Sequence, residues 1–286
     1  MKRLTKPSFD SAEVYDTCVT GINNPNLAQK FTDARSDIVI KFQEYEQRAN
    51  THQLFLSEAS TWGDEGQIVL AGITKKEFTD LYTKQMVPKE KAGRGYYNQL
   101  TILAPLGKCP YCWFGQVSTL DHFLSKAHYP LFSVLCENLV PACSDCNKIK
   151  ATSLTTSNNQ IPHPYFEGIA IETDPWLFAE VNKSTPPIVN YFVAPPSSWS
   201  SDLTQRIKNY FVSFDLARRF AIEAAAEMAS LTELLDSLMT QDLRHAHLSL
   251  IAQTERQNRK NSWKAALYES LANSDWFQHD GYRNLG

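Results

Sequence analysis

The chain has 286 residues, of which 43% are hydrophobic and 21% are charged, so it is long enough for one or two globular domains. Its net charge of −3 argues against a protein that coats nucleic acid through overall electrostatics, but it leaves room for a local basic track. No apolar stretch approaches a membrane span, and no apolar signal core follows the basic N-terminus, so we expect a soluble, cytoplasmic protein.

Residues 1–98 are predicted to form a helical N-terminal region. Ser11 is a candidate N-cap of the first helix, and a second helix is expected over about 25–50. Thr74 followed by Glu77 has the pattern of a capping box, so another helix is predicted to begin there.

Residues 99–180 have a different character, because prolines and glycines interrupt the helical pattern. A short strand is predicted over 117–124, a second extended segment is predicted just before Asn138, and a helix is predicted to begin at Cys143. The predicted local order is therefore strand, loop, strand and helix.

Residues 181–286 are predicted to form a helical C-terminal region. Short strands are expected before it and at its start, over 176–181 and 188–193. The helices are expected over 202–239, 241–258 and 261–273. The whole chain is thus predicted to have an α+β fold that is mostly helical.

Two C-x-x-C pairs, Cys109 with Cys112 and Cys143 with Cys146, have the number and spacing of thiols that one tetrahedral zinc ion requires. A thioredoxin-like redox site needs one such pair in a βαβ setting, and neither condition fits. Four thiolates complete the coordination shell, so we expect the zinc to be structural rather than catalytic.

The segment between and beside these pairs resembles the HNH endonucleases, also called ββα-metal nucleases. The matching sequences are Cys109-Pro-Tyr-Cys112, Thr119-Leu-Asp-His122, Glu137-Asn-Leu-Val-Pro141 and Cys143-Ser-Asp-Cys-Asn-Lys-Ile-Lys150. The resemblance implies a small ββα-metal core with a zinc knuckle, embedded between the N- and C-terminal helical regions.

Phosphodiester hydrolysis needs a deprotonated water and a cation that stabilises the phosphate charge. His122 is the candidate general base, because imidazole titrates near neutral pH. Asp121 and the amide oxygen of Asn147 are candidate ligands of a catalytic Mg²⁺ or Mn²⁺ ion, and Asn138 is expected to brace the loop that orients His122. No second histidine closely follows Cys146, and His163 is the candidate that could reach back toward the metal, with a structural contact as its alternative.

Four further residues are candidates for contacts with substrate. Each has a plain alternative: the lysines can be solvated surface charges, and the histidine can be a structural contact. They are Lys126, Lys148, Lys150 and His163. Basic residues also concentrate in 75–94 and 244–264, where a DNA track and solvated helix faces are competing interpretations.

A narrower resemblance is to the HNH proteins of bacterial anti-phage systems, of the Septu and retron-associated kind. The sequences that carry it are Asp121-His-Phe-Leu-Ser-Lys126, Tyr129-Pro130, Asn138-Leu-Val-Pro-Ala-Cys143 and His163-Pro-Tyr-Phe166. This resemblance implies a DNA-cleaving effector that acts beside an ATPase partner, and self-association is compatible with it. Cleavage of RNA such as tRNA and a non-catalytic, zinc-stabilised binding module remain as alternatives.

Overall fold

The computed structural model describes residues 1–150 and 153–284. The chain divides into two compact units, one over residues 2–167 and the other from residue 168 onward together with Met1. The prediction of a mostly helical α+β fold is confirmed. Within the described ranges, no helix combines the length and apolarity that crossing a membrane would require.

The first unit contains the N-terminal helices and the cysteine pairs. Its helices are α1 (Ser11–Thr20), α2 (Pro25–Asp33), α3 (Arg35–Asn50), α4 (Lys75–Asp80), α5 (Arg94–Thr101) and α6 (Ser144–Lys150), with a π-helical turn at Leu81–Met86. Its strands are β1 (Ile68–Leu70), β2 (Ile73–Thr74), β3 (Thr119–His122) and β4 (Leu139–Ala142). The predicted boundary at residue 98 falls inside this unit, within α5.

The prediction that Ser11 caps the first helix is wrong. The Asp10 side chain accepts a hydrogen bond from the backbone N–H of Ala12 at 2.8 Å and caps α1. The Ser11 hydroxyl instead donates to the Glu137 carboxylate at 2.7 Å. The Ser11 hydroxyl is therefore engaged by the distant Glu137, and Asp10, one position earlier, is the N-cap of α1.

The single helix predicted over 25–50 is broken at Ala34, which separates α2 from α3. The Phe31 carbonyl accepts a hydrogen bond from the Tyr15 hydroxyl at 2.7 Å, and this bond competes with the helical backbone pattern at the break. The capping box at α4 is confirmed, because the Thr74 side chain and backbone bond reciprocally to Glu77.

An antiparallel β3–β4 hairpin followed by α6 forms the ββα element of the first unit. The register pairs Thr119 with Ala142 and His122 with Leu139. The predicted extended segment before Asn138 is instead a 3₁₀ turn over Cys136–Asn138, and the strand follows it. The predicted strand over 117–124 shortens to β3, because Asn138 bonds to the backbone N–H groups of Phe123 and Leu124 just beyond its end.

The second unit packs helices on a β-hairpin. Its helices are α7 (Ala170–Thr173), α8 (Ser201–Ser213), α9 (Leu216–Ala229), α10 (Thr232–Ser237), α11 (Gln241–Asn258), α12 (Trp263–Ala272) and α13 (Asp275–His279). Its strands β5 (Leu177–Asn182) and β6 (Ile188–Val193) pair antiparallel, close to their predicted positions. Helix α12 packs against β5 and α11, and α9 packs against β6. The predicted boundary at residue 180 falls within β5.

The long helix predicted over 202–239 is three shorter helices. The first break lies at Asp215, whose φ of +51° and ψ of +42° are left-handed and cannot continue an α-helix. The helix predicted over 241–258 is confirmed with the same bounds.

Candidate functional site

The four cysteines of the two pairs converge in one buried cluster. Their sulfur atoms all lie within 4.8 Å of one another, and the Sγ atoms of Cys112 and Cys143 are 3.9 Å apart. Zn–S bonds of about 2.3 Å in a tetrahedron place sulfurs about 3.8 Å apart. The cluster therefore fits a structural zinc ion, with all four ligands from protein and no position left for substrate.

The first pair lies in a tight turn that requires a glycine at its end. The Gly115 N–H donates to Cys112 Sγ at 3.3 Å, and the Gly115 carbonyl accepts from the Cys109 N–H at 2.9 Å. A Cβ at residue 115 would lie 2.8 Å from Cys143 Sγ, which is shorter than any ordinary contact. Within the turn, Trp113 has a φ of +66°.

The second pair lies at the junction between β4 and α6. Cys143 follows the strand, Cys146 is in the first turn of the helix, and the Cys146 N–H donates to Cys143 Sγ at 3.4 Å. Hydrogen bonds from the other thiols, Cys109 first, lower the pKa of Cys143, whereas hydrogen bonds within the same cluster, Cys109 again first, raise the pKa of Cys146. Metal binding at this cluster would fix the start of α6 to the first turn.

The two remaining cysteines lie outside the cluster. Cys18 and Cys136 are both buried, and burial raises the pKa of the Cys18 thiol to about 12. Both therefore serve as neutral, apolar packing residues.

Asp121 lies on β3 and is almost completely buried, with 4% of its surface exposed. Its carboxylate accepts a hydrogen bond from the Tyr111 hydroxyl at 2.9 Å and forms an ion pair with Lys150, also at 2.9 Å. Burial raises the pKa of the Asp121 carboxyl, while Lys150 and Tyr111 offset part of that rise.

His122 follows Asp121 and is held by a main-chain carbonyl. Its Nε2 lies 2.9 Å from the Ser133 carbonyl oxygen, which can only accept, so Nε2 carries the proton and Nδ1 keeps its lone pair. Burial lowers the pKa of the imidazole to about 3, with the Lys126 charge as a smaller contribution. The imidazole and the Tyr82 ring are in T-shaped contact at a centroid distance of 4.5 Å. The side chain is therefore a neutral, fixed imidazole.

Asn138 has the bracing geometry that the sequence predicts. Its amide nitrogen donates to the carbonyls of Leu124 and Phe132, at 3.0 and 3.1 Å. Its amide oxygen accepts from the Leu124 N–H at 2.7 Å and from the Tyr45 hydroxyl at 3.0 Å. The amide thus ties both ends of the loop between His122 and Ser133, and that loop carries the carbonyl that holds the imidazole.

Asn147 lies on α6, directly after the buried Cys146, and is partly exposed. Lys150 lies three residues further along, so both side chains project from neighbouring positions of the same helix face. Because Lys150 reaches Asp121, this face of α6 is directed toward β3. Asn147 thus lies one helical turn before the residue whose side chain reaches Asp121.

The three lysine candidates differ in their surroundings. Lys148 is exposed, whereas Lys126 is half-buried, with its ammonium 5.1 Å from the centre of the Tyr82 ring. Burial lowers the pKa of Lys126. Since Tyr82 also contacts His122, Lys126 lies on the same side of the fold as the candidate base.

His163 is placed in the interior instead of at a surface that faces substrate, with 3% of its surface exposed. Its Nδ1 accepts from the Tyr165 N–H at 3.1 Å, so its Nε2 carries the proton and donates to the Tyr45 hydroxyl at 3.1 Å. The Tyr45 hydroxyl in turn donates to Asn138. Contact with a phosphate does not fit this burial, and the geometry gives His163 the role of a support for Asn138.

Many charges of the basic stretch 75–94 have partners within the protein. The ammonium of Lys75, which is 1% exposed, donates to the Thr61 carbonyl at 2.7 Å. Lys76 and Lys84 both pair with one aspartate, Asp80. These contacts fit a structural interpretation of the stretch better than a DNA track.

The basic stretch 244–264 also binds protein groups. The Arg244 guanidinium donates to the carbonyls of Leu238 and Gln278, both at 2.6 Å. Arg256 pairs with Glu269, and Lys264 pairs with Glu227 at 2.9 Å. Local charge counting could not distinguish such internal pairs from a binding surface.

Four residues that the sequence interpretation missed help to position the site: Tyr45, Tyr82, Tyr111 and Ser133. Tyr111 lies inside the first C-x-x-C pair, ten residues before Asp121, so its position offered a signal. The others act across long sequence separations or through a backbone carbonyl, and no local pattern marks them.

The chain is similar to the protein ea31 of Escherichia phage lambda. The two share 28% identity over 293 residues, which cover 97% of this chain and 99% of that protein. No protein-family model matches the chain, and no solved structure matches it. The similarity therefore extends over both compact units.

Replacing Cys143 with serine is expected to abolish zinc binding and lower the melting temperature, because one thiolate of the closed cluster is lost. Metal analysis and thermal melting of the purified protein measure both effects. Cys18→Ser is the matched control, since Cys18 is buried but lies outside the cluster, and it should retain zinc. Equal zinc contents in Cys143→Ser and the wild type would contradict the assignment.

The free energy of unfolding is expected to fall with acidification below about pH 6.5, where the unfolded chain protonates its histidines. Burial holds the pKa of His163 well below that value, so the native state does not take up the proton. Each such group contributes at most about 1.4 kcal/mol per pH unit to the slope of the unfolding free energy against pH.

Chemical denaturation of His163→Gln between about pH 5 and 6.5 should therefore give a shallower pH dependence than that of the wild type. Glutamine keeps a donor for Tyr45 but does not titrate. His279→Gln, at an exposed position, is the control. Parallel slopes for His163→Gln and the wild type would show that His163 protonates equally in the two states.

Proposed function

We propose that this protein is a metal-dependent HNH endonuclease that hydrolyses phosphodiester bonds, with DNA as its substrate. The observation that carries the proposal is the state of His122. Its Nε2–H is held by the Ser133 carbonyl, its Nδ1 keeps a lone pair, and it follows the buried carboxylate of Asp121 on one strand. The fixed ring keeps the lone pair that a general base needs, and burial, which lowers its pKa to about 3, makes it a weaker base than a free imidazole.

In the proposed reaction, His122 Nδ1 removes a proton from a water molecule, and the resulting hydroxide attacks the phosphorus. The bond between phosphorus and the leaving oxygen breaks, and a proton returns to that oxygen. A Mg²⁺ or Mn²⁺ ion, when bound, would neutralise charge on the phosphate and on the leaving oxygen. Asp121 and Asn147 supply the oxygen donors that such a hard cation prefers.

The cysteine cluster and Asn138 support this arrangement from two directions. Zinc at the cluster would fix α6, and therefore Asn147, relative to the first turn. Asn138 fixes the loop that carries the Ser133 carbonyl and hence the ring of His122. The zinc itself would be chemically inert, since its four ligands leave no open position.

The biological setting that we propose is an effector of an anti-phage defence system that acts with an ATPase partner in the cytoplasm. The support is the narrower sequence resemblance around His122, Asn138 and His163. The similarity to a protein of phage lambda places a relative in a phage genome.

A second candidate function is a zinc-stabilised binding module without catalysis. One observation favours it: the Asp121 carboxylate, which the proposed mechanism reserves for a metal ion, is paired with Lys150. Binding of nucleic acid by the purified protein and its ATPase partner, with no metal-dependent cleavage, would support this candidate over the nuclease.

His122→Ala is expected to abolish plasmid cleavage in the presence of Mg²⁺ or Mn²⁺ while leaving the zinc content unchanged, because it removes only the base. Loss of general base catalysis typically lowers the rate by about 100-fold to 10,000-fold. Gel electrophoresis of plasmid DNA measures cleavage, and His279→Ala, at an exposed histidine in the second unit, is the control.

The assay should be run with and without the proposed ATPase partner, because a regulated nuclease can depend on its partner. Plasmid, single-stranded DNA and total RNA, offered to the same preparation, separate the DNA and RNA alternatives. Equal cleavage by His122→Ala and the wild type would refute the mechanism.

A further inference from the structure

The Lys150 ammonium lies among three oxygen atoms of β3. It is 3.1 Å from Asp121 Oδ1 and 2.9 Å from Asp121 Oδ2, and it donates to the His122 carbonyl oxygen at 2.6 Å. Two carboxylate oxygens and one carbonyl oxygen are also the donor types that a hard divalent cation takes up. The lysine head group therefore sits where oxygen donors converge on one positive charge.

Burial makes this ion pair different from a surface salt bridge. The Lys150 side chain is 12% exposed and the Asp121 side chain 5%. Removal of one charge from a buried pair leaves the other uncompensated, so each partner depends strongly on the other. Lys148, two residues earlier, is exposed and provides a contrast within the same helix.

From this geometry we propose that Lys150 is a built-in competitor of the divalent metal ion, so that metal can bind Asp121 directly only when the ammonium withdraws. The inference rests on the proposed function, because it concerns the metal ion of that site. A divalent cation and an ammonium that share the same carboxylate repel each other in a buried setting with little water to screen them.

Withdrawal of the ammonium is mechanically simple. Lys150 is the last residue of α6, and its charge is carried on a flexible four-carbon chain. The head group can leave Asp121 by side-chain rotation, while the helix stays fixed through Cys143 and Cys146. The nuclease would consequently need a higher metal concentration than the same site without the lysine.

The test is the affinity for Mn²⁺, measured by electron paramagnetic resonance on the full-length, zinc-loaded protein without nucleic acid. Lys150→Gln removes the charge but keeps a hydrogen-bond donor, and it should bind Mn²⁺ at least about fivefold more tightly than the wild type, the lower end of typical coupling between sites. Lys148→Gln is the matched control and should bind as the wild type does.

The added affinity should disappear when Asp121→Asn is combined with Lys150→Gln. Equal or weaker Mn²⁺ binding by Lys150→Gln, or a gain that survives Asp121→Asn, overturns the inference. Zinc content and thermal melting verify the fold of each variant. Lys150→Met, which keeps an apolar side chain in place of the lysine stem, is the second variant if the glutamine protein does not fold.

The two proposals can fail separately. Cleavage that depends on His122, together with unchanged Mn²⁺ affinity in Lys150→Gln, would overturn the competition and leave the nuclease standing. Tighter Mn²⁺ binding that depends on Asp121, without cleavage of any nucleic acid even in the presence of the proposed ATPase partner, would support the competition and refute the nuclease.

Discussion

The convergence of four cysteine sulfurs is the constraint on which the candidate site depends. Cys109 and Cys112 belong to a turn before β3, whereas Cys143 and Cys146 join β4 to α6. A single ion at this cluster would close a loop of chain that contains the whole hairpin, and short elements of this kind cannot bury enough apolar surface to be stable alone. The candidate catalytic residues are attached to this cysteine frame and are not part of it.

A buried network of neutral hydrogen-bonding groups fixes the rest of the candidate site. His163 donates to Tyr45, Tyr45 donates to Asn138, and Asn138 ties the loop that leads to Ser133. Charged groups are used in the same way, because Lys75, Arg244 and Lys150 all bond to backbone carbonyls. These positive charges are engaged within the protein, so a count of basic residues overstates the charge that the two basic stretches offer to a ligand.

Patterns that act over a few residues were predictable from the sequence, and contacts between distant residues were not. The capping box at Thr74, the β5–β6 hairpin and the bounds of α11 follow from local spacing. The convergence of the two cysteine pairs is the exception, because the spacing within each pair already indicates a shared zinc ion. The breaks at Ala34 and Asp215 and the displaced cap at Ser11 depend on tertiary partners or backbone strain. The same division holds at the candidate site, where a motif marks Asp121 and His122 as candidates and no local pattern marks the carbonyl of Ser133.

The turn that ends at Gly115 has a consequence for how such a gene tolerates mutation. Any side chain at residue 115 would press on Cys143, because its Cβ would lie 2.8 Å from the Cys143 Sγ and 2.9 Å from the Cys143 Cβ. In a saturation library, residue 115 should therefore accept no other amino acid, as strictly as a metal ligand. Gly115, a residue without a side chain, would then be as intolerant of substitution as the cysteines beside it.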